Sequence, residues 1–406
     1  MRIALLTDGI FPYVIGGMQK HSYFLVKELV RQGHTVYLFH CNETTLDASA
    51  LTLFTAEEKK YIKPFLLPFP HTAYYPFHYL HESYLYSSSI YKALEPLLPD
   101  TDFIFAQGFC AWALIEKHGQ RNEKRKSLPP VAVHFHGLEM FQHIPSFKAA
   151  VSRYPLQRAV KINMHGAEYS ISYGGGITAI MEKIIGKDKI WEIPAGVESK
   201  WLNPSPLLPV TGKIRFVFVG RYERRKGIAE LNRAIKILLA DPANASFSFS
   251  FIGDIPPDER LTAKAVTYHG KISSEKEMAD ILRGCDVLVC PSYAEGMPNV
   301  ILEAMACGLA VIATAVGAVP MLVDASNGWL IDSPLVSLIT AAMQEAMKDD
   351  RLVEKKKASV EKIKNQFLIE KVTALLIKKM ETACTLQLNP IAIGLSKCTN
   401  SKHRHN

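Results

Sequence analysis

Short apolar runs alternate along this chain with stretches whose apolar residues recur at helical spacing, and the alternation occurs twice. Residues 3–6 form an uninterrupted apolar run behind Arg2, which predicts a short buried strand over 2–7. The segment 8–16 contains Pro12 and runs into Gly16-Gly17, so it predicts a loop. Over 18–32, Tyr23, Val26, Leu29 and Val30 fall at helical spacing, and Gly33 follows as a glycine just past a helix end. Residues 35–39 are β-branched and aromatic and predict the next strand. Strand, helix and strand in this order make a βαβ unit, whose strands must be parallel.

The second half repeats the pattern. Strands are predicted over 213–220, 246–252, 286–290 and 310–313, and helices over 227–239 and 300–307. Between the halves, Pro204, Pro206 and Pro209 disfavour both helix and central strand, which predicts a linker and a hinge near 197–212. The expected fold class is α/β, with two Rossmann-like doubly wound parallel-sheet domains, 1–200 and 201–364, facing a central cleft. The ligand is expected where the carboxyl ends of the two sets of strands meet. Residues 354–381 carry Val360, Ile363, Phe367, Val372 and Leu376 at amphipathic spacing and predict one or two further helices. After Cys384 the periodicity fades, and 386–406 reads as a disordered tail.

Charge changes this picture only after it is mapped. Lys plus Arg is 47 and Asp plus Glu is 39 in 406 residues, a net +8 that on its face suggests a nucleic-acid or membrane partner. From Arg351 onward there are 12 basic and 4 acidic residues, a surplus of 8, so residues 1–350 hold 35 of each. The body is neutral, and no nucleic-acid partner is expected. Seven scattered cysteines without a C-x-x-C pair fit reduced thiols rather than a disulfide framework or zinc knuckle. The start, Met1 to Asp8, lacks the pattern of a secretory signal, so a cytoplasmic location is expected. Residues 304–323 carry no charge, but Gly308, Gly317 and Pro320 interrupt them, which suits a buried helix end, turn and strand better than a membrane span.

The most informative stretch is 291–308. Glu295 lies in a Gly/Pro turn and Glu303 eight residues later on the following helix. Backbone N–H groups at the helix N-terminus suit an anionic or hydroxyl-rich ligand, and carboxylates there can accept from sugar hydroxyls, although alone Glu295 reads as well as a helix cap and Glu303 as a solvated residue. Arg221 and Lys226 follow directly on a buried strand, which puts them at the cleft, whereas Arg224 and Arg225 read as solvated. The alternating run 131–139 ends in His136-Gly137, with His134 facing the same side but deeper, as a core histidine bonded to backbone. Two histidines on one strand with no Cys or Glu at ligand spacing do not make a zinc site. The triple glycine 174–176 reads as a turn. Residues 66–91 are rich in aromatics, including Phe69, Tyr74, Tyr75 and Tyr79, which suits core packing, stacking on sugar rings or a membrane surface. The basic stretch 117–126 reads as a solvated loop, with contact to anionic lipid as the other reading.

The E-x7-E run of Glu295 and Glu303 resembles the signature of retaining glycosyltransferases of family 4, the group-1 glycosyl transferases with the GT-B fold. Three other landmarks occur in family order: Gly16-Gly17 before a helix ending in Gly33-His34-Thr-Val, Ile193-Pro-Ala-Gly-Val197, and Val219-Gly-Arg221 followed by Lys226-Gly227. The resemblance spans most of the chain, with departures at Ala195, where Asn is usual, at Gly253-Asp254, which lacks its following glycine, and at 317–321, where a glutamate is missing.

The resemblance implies a nucleotide-diphosphate sugar donor, most often UDP-linked, held mainly by the second domain, and no metal or other cofactor. It implies that Arg221 and Lys226 neutralise the diphosphate, that Glu303 holds the ribose, and that Gly16 and Gly17 close over the diphosphate. It places Glu295, with the backbone of Gly296, Met297 and Pro298, and His136 at the donor sugar. A front-face route, in which the leaving phosphate takes the acceptor proton, is the implied chemistry. The acceptor would be a glycan or lipid-linked glycan of surface polysaccharide, lipopolysaccharide or glycolipid assembly. Relatives end in a helix that crosses back to the first domain, which here would span about 365–385. The lysines of the C-terminal region would then line its outer face and favour an anionic membrane surface at the inner leaflet. Other activities of this fold, a sugar phosphorylase or a sucrose-type synthase, and a non-catalytic sugar-nucleotide-binding module are the alternatives.

Overall fold

The strands predicted over 2–7, 35–39, 213–220, 246–252, 286–290 and 310–313 are all present, and further strands join them. The computed structural model describes residues 1–14, 16–41, 51–72, 77–118, 128–142, 147–203, 212–241 and 247–388. The first sheet comprises β1 (Arg2–Leu6), β2 (Thr35–His40), β3 (Ile62–Leu66), β4 (Phe103–Gln107), β5 (Val131–His134), β6 (Tyr169–Ser172) and β7 (Ile190–Glu192). All pairings are parallel, in the order β3-β2-β1-β4-β5-β6-β7. The second comprises β8 (Ile214–Val219), β9 (Phe247–Ile252), β10 (Val266–Gly270), β11 (Val287–Cys290), β12 (Ala310–Thr314) and β13 (Gly328–Ile331). It too is parallel, in the order β10-β9-β8-β11-β12-β13.

In each sheet the order reverses beside the first strand, between β1 and β4 and between β8 and β11. Chain leaving β1, β8 and β11 therefore opens at a switch point, where ligands of such sheets bind. Those three exits are the Gly16-Gly17 loop, the basic turn 220–227 and the turn 291–298.

Local patterning explains the packing. In β9 the sequence Phe-Ser-Phe-Ser-Phe alternates, and Phe247, Phe249 and Phe251 are fully buried in one core cluster with Leu231 and Ile235 of the Ile228–Ala240 helix. Each buried ring contributes about 1.5–3 kcal/mol. The Gly17–Arg31 helix buries Leu25, Val26 and Leu29 against the first sheet and ends as its pattern predicts, at Gln32 and Gly33. The uncharged stretch 304–323 resolves into a helix end, the buried strand β12 and the short Val319–Leu322 helix. No helix among the described residues is long and apolar enough to cross a membrane.

The C-terminal segment runs as a Leu352–Lys362 helix, a π-helical turn at Ile363–Phe367 and an Ile369–Leu388 helix. Where it passes the end of the first domain, Val197 bonds to both sides of Leu368, donating to the Phe367 carbonyl at 2.9 Å and accepting from the Ile369 amide at 3.0 Å. Beyond that point Val372, Leu376, Ile377 and Met380 join the core of the first sheet with Ile3, Leu25 and Trp191. The expectation that the C-terminal lysines face outward fails for two of them. Lys355 and Lys356 are buried: Lys355 donates to the Ala325 carbonyl at 2.7 Å and lies over the Trp329 ring, and Lys356 reaches Asp286 at 2.8 Å. They are consumed internally because the Leu352–Lys362 helix needs both of its polar flanks to dock on the second domain. Lys357, Lys364, Lys371, Lys378 and Lys379 are exposed.

Cys41, Cys110, Cys285, Cys290 and Cys307 are buried free thiols, and Cys384 is a half-buried one. The expected disordered tail does not begin at 386, since residues 386–388 continue the Ile369–Leu388 helix; residues 389–406, the proline-rich linker, most of the basic stretch 117–126, Tyr74 and Tyr75 lie outside the described residues.

Candidate active site

The turn after β11 and the turn after β8 are pressed together. Gly227 makes this fit: its φ is +69°, and a Cβ there would stand 2.0 Å from the Pro291 carbonyl oxygen. The Tyr293 amide donates to the Arg225 carbonyl at 2.7 Å, which joins the same two turns. The short helical turn Arg224–Lys226 spreads its three side chains around its axis, so they take different directions. Arg224 turns back to Glu230, 2.8 Å away, and stacks over Tyr293. Lys226 and Arg225 turn into the cleft. Lys226 Nζ lies 2.5 Å from Glu295 Oε1 and Arg225 Nη1 lies 3.5 Å from Glu295 Oε2.

Two readings of this basic turn are corrected. Arg225 is not solvated: it is half-buried and salt-bridged to Glu223 and Glu295. Arg221 is not drawn into the cleft, since its side chain is 79% exposed and pairs with Glu223 at 2.9 Å. Glu223 thus bridges both arginines, and the inward one is set by the close docking of Gly227.

Glu295 is buried and accepts from the Ser292 hydroxyl at 2.7 Å as well as from Lys226. Glu303 projects from the first turns of the Asn299–Ala306 helix toward the first domain. Burial pushes its carboxyl up to about 6, with the Lys20 ammonium at 3.5 Å opposing the rise. Lys20 also pairs with Glu275 at 2.7 Å, so one lysine of the Gly17–Arg31 helix spans the cleft to two carboxylates.

Backbone meets backbone across the cleft as well. A Cβ on Gly296 would lie 2.0 Å from the His136 carbonyl oxygen, so glycine is what lets the Glu295 turn reach the first domain. Gln142 brackets Glu295, donating to its carbonyl at 2.8 Å and accepting from its amide at 3.3 Å. The Ala195 amide donates to Met297 Sδ at 3.1 Å. The triple glycine does more than turn: the Gly176 amide donates to the Gly317 carbonyl at 2.8 Å.

Between these contacts lies a cavity of about 320 Å³. Gly17, His136, Lys226, Glu295, Gly296, Met297, Pro298 and Glu303, all singled out from sequence, line it, as do Lys20, His21 and Arg225, which were not. Gly16 stands just behind, as the residue before the Gly17–Arg31 helix.

On the first-domain side the floor is a chain of polar groups. The Gln107 carbonyl oxygen is 2.7 Å from His136 Nε2, and its amide nitrogen is 3.0 Å from His21 Nδ1. This arrangement puts the His136 proton on Nε2 and leaves Nδ1 to accept from the Tyr173 hydroxyl. Burial lowers His21 to about 4 and holds His134 and His136 well below the ordinary histidine range, with neighbouring histidines adding to both. All three rings are neutral. His134 is buried, but among the described residues neither ring nitrogen has a hydrogen-bond partner, contrary to the expected backbone bond. The parallel ladder uses the nearby backbone groups, and the ring packs among His21, His136, Tyr173 and Phe105 instead.

Ligand atoms of His21, His134 and His136 all lie within 4.8 Å of one another. As arranged, the three fit a metal poorly. His136 uses both nitrogens, and its ring stacks on His134 at 4.1 Å and 29°, so their in-plane lone pairs run side by side rather than converge.

Residues 213–349 match the family described as glycosyl transferases group 1. Over 94% of its length the chain superposes on sucrose-phosphate synthase from Thermosynechococcus elongatus (TM-score 0.74, 20% identity, 98% of that chain). It also superposes over 94% on Anabaena HepE in complex with UDP and glucose (TM-score 0.62, 16% identity, all of that chain). The fold is GT-B. Within it, the second GT-B domain carries the group 1 match. In sequence, 115 residues are 42% identical to the putative teichuronic acid biosynthesis glycosyltransferase TuaC of Bacillus subtilis, covering 28% of each chain. A further relative is the N,N'-diacetylbacillosaminyl-diphospho-undecaprenol alpha-1,3-N-acetylgalactosaminyltransferase of Campylobacter jejuni, 27% identical over 240 residues, or 53% of this chain and 61% of that one. The chain thus spans between about a quarter and three fifths of the length of these curated relatives.

Proposed function

We propose that this protein is a retaining glycosyltransferase that moves a sugar from a UDP-linked donor to a glycan or lipid-linked acceptor in surface polysaccharide, lipopolysaccharide or glycolipid assembly. The observation that carries the reading is the meeting of Lys226, Arg225, Glu295 and Glu303 with His136 in one cavity at the switch points of both sheets. Lys226 and Arg225 supply fixed positive charge where a leaving diphosphate gathers negative charge, so the reading needs no metal. Glu303 accepts from ribose hydroxyls, and Glu295, held by Lys226 and Ser292, positions the donor sugar. The acceptor oxygen attacks by the front-face route, from the face the diphosphate leaves, and the leaving phosphate takes its proton. The naming of TuaC for teichuronic acid and of the Campylobacter relative for a diphospho-undecaprenol substrate supports a cell-surface role.

The test is a panel of UDP, GDP and ADP followed by thermal shift, with turnover of the matching nucleotide sugar measured in excess chelator. UDP should raise the melting temperature, and chelator should leave turnover intact. Loss of turnover that Mg²⁺ or Mn²⁺ restores would overturn the metal-free reading. Because the Glu303 carboxyl titrates near 6, UDP affinity should fall as pH drops from 7 to 5, by up to about tenfold per unit below that value. Glu303→Gln should flatten the profile, leaving only the titration of the nucleotide's own phosphate. An unchanged profile removes the ribose role.

Attachment to an anionic inner leaflet is also proposed, on the exposed Lys371, Lys378 and Lys379 of the crossing helix and the basic residues beyond it. Truncation after Thr385 should weaken binding to phosphatidylserine vesicles. Equal binding would count against it.

A further inference from the structure

The Gly17–Arg31 helix carries a positive charge at the end where a helix resists one. Lys20 lies in its first turn, with its amide donating to the Gly16 carbonyl at 3.0 Å, and that turn holds no acidic residue. The helix dipole is positive there, so an ammonium is opposed rather than supported. Its compensation comes from the second domain, from Glu275 Oε1 at 2.7 Å and Glu303 Oε1 at 3.5 Å. The buried Trp201 ring bounds a third side, its centroid 5.4 Å from Lys20 Nζ.

The two carboxylates are not equivalent. Glu275 opens the Glu275–Arg283 helix and is also met by Lys200 at 2.6 Å, which in turn reaches Glu198 at 2.8 Å. Glu303 has, among the described residues, Lys20 alone as a cation within salt-bridge distance. Burial would lower the Lys20 ammonium, but Glu303 and Glu275 outweigh it and hold it above the ordinary lysine value. It therefore stays charged wherever Glu303 titrates. Burial raises the Glu303 carboxyl most, Lys20 is the group that lowers it, and Glu275 and Glu198 add to the rise. The other groups around Glu303 carry no free charge toward it. The Cys307 thiol, one turn along the same helix, is pushed up to about 12 by burial, and the cavity-lining His21 and His136 are neutral. Lys226 and Arg225 are engaged by Glu295 across the cavity.

We propose that Lys20 is a positioning residue for the donor: from the first domain it supplies the counter-charge with which Glu303 holds the ribose, and Glu275 draws that charge partly away. The inference rests on the ribose role given to Glu303 above and deepens it. A carboxylate has about four lone-pair sites, so one long contact to Lys20 leaves room for both hydroxyls of a ribose. The second domain alone does not complete the nucleotide site, because the cation that keeps its ribose acceptor negative stands across the cleft.

The test measures UDP affinity by calorimetry from pH 5 to 8 and divides each profile by that of Glu303→Gln, which cancels the titration of the nucleotide's own phosphate. Lys20→Met should move the midpoint of this ratio up by about one pH unit, since the charge favouring the carboxylate is gone. At pH 6 that makes binding roughly fivefold weaker. Lys20→Arg should restore the midpoint. Glu275→Gln should move it the other way, by about half a unit, because a like charge is removed and Lys20 is left to Glu303. A merely structural tie would not do this: losing either end would loosen the cleft alike and weaken UDP at every pH with the midpoint in place. That outcome overturns the inference, and if Lys20→Met does not fold, an unmoved midpoint in Glu275→Gln does so by itself. Absence of UDP binding, or a wild-type profile equal to that of Glu303→Gln, overturns the ribose role instead, so the two failures are distinguishable.

Discussion

Lys226→Ala should lower turnover of the nucleotide sugar by about two to three orders of magnitude, the loss typical for removing one preorganised group from a developing charge. Lys226 Nζ sits 2.5 Å from Glu295, with its side chain 14% exposed, in a site walled by both domains. A cation held there costs no reorganisation when the diphosphate departs, and the low surrounding polarity magnifies its effect. Removing it also leaves the Glu295 carboxylate with Ser292 and a more distant Arg225, so part of the loss will appear as a misplaced turn. Lys226→Met keeps the volume of the stem, so comparing it with Lys226→Ala separates lost packing from lost charge. If the charge dominates, both variants lose kcat alike. Arg225→Ala should cost about tenfold in donor affinity, and Arg221→Ala, whose guanidinium is exposed and pairs with Glu223, should cost less. Full turnover in Lys226→Ala would remove the diphosphate role from this turn.

Asp286→Ala should destabilise the second domain by about 3–5 kcal/mol, the penalty for stranding a buried partner charge. Asp286 is fully buried at the start of β11 and is gripped from both sides. Arg215 on β8 contributes two side-chain bonds, at 2.9 and 3.0 Å, and its own amide a third at 3.1 Å. Lys356 closes on it from the C-terminal helix at 2.8 Å. Without the aspartate, Lys356 is a buried ammonium with no acceptor. A thermal melt should show the domain transition lowered on the order of 10 °C. Adding Lys356→Met to Asp286→Ala should recover much of the loss, because the stranded charge goes with it, and no recovery would contradict this account. Burial alone would raise the Asp286 carboxyl, but the bonds from Arg215 and Lys356 outweigh it and hold it below the ordinary aspartate value. The group's stabilisation is therefore present above that ordinary value and lost as pH falls through the lower, folded one.

The strands β1, β2, β5, β8, β9, β11 and β12 and the switch-point loops were legible in the sequence because their determinants are local, whereas β3, β4, β6, β7, β10 and β13 were not anticipated. An apolar run of five residues, a glycine after a helix or a Phe-Ser alternation carries its own instruction. The E-x7-E pair was legible for the same reason, since one turn and one helix set its spacing. What escaped lies between segments distant in sequence. Nothing in the neighbourhood of Lys20 announces Glu275 and Glu303, and His21 meets His134 and His136 only because the helix after β1 packs over β5. Gln142 was equally silent, because its partner is the backbone of Glu295. The exchange of roles between Arg221 and Arg225 depends on the sense of a three-residue helical turn, which composition does not encode. Lys355 and Lys356 sat in a run that reads as solvated, and only the burial of Asp286 and the Ala325 carbonyl shows otherwise.

The helix Ile369–Leu388 makes the first domain discontinuous in the chain. During synthesis the seven strands of the first sheet emerge long before the residues that cover Leu25 and Trp191, so an apolar face waits uncovered until residues 369–388 leave the ribosome. The same geometry governs recombination between relatives. A chimera cut at the proline-rich linker would pair one protein's first domain with another's closing helix, so exchanging intact first domains requires moving residues 369–388 together with the N-terminal half.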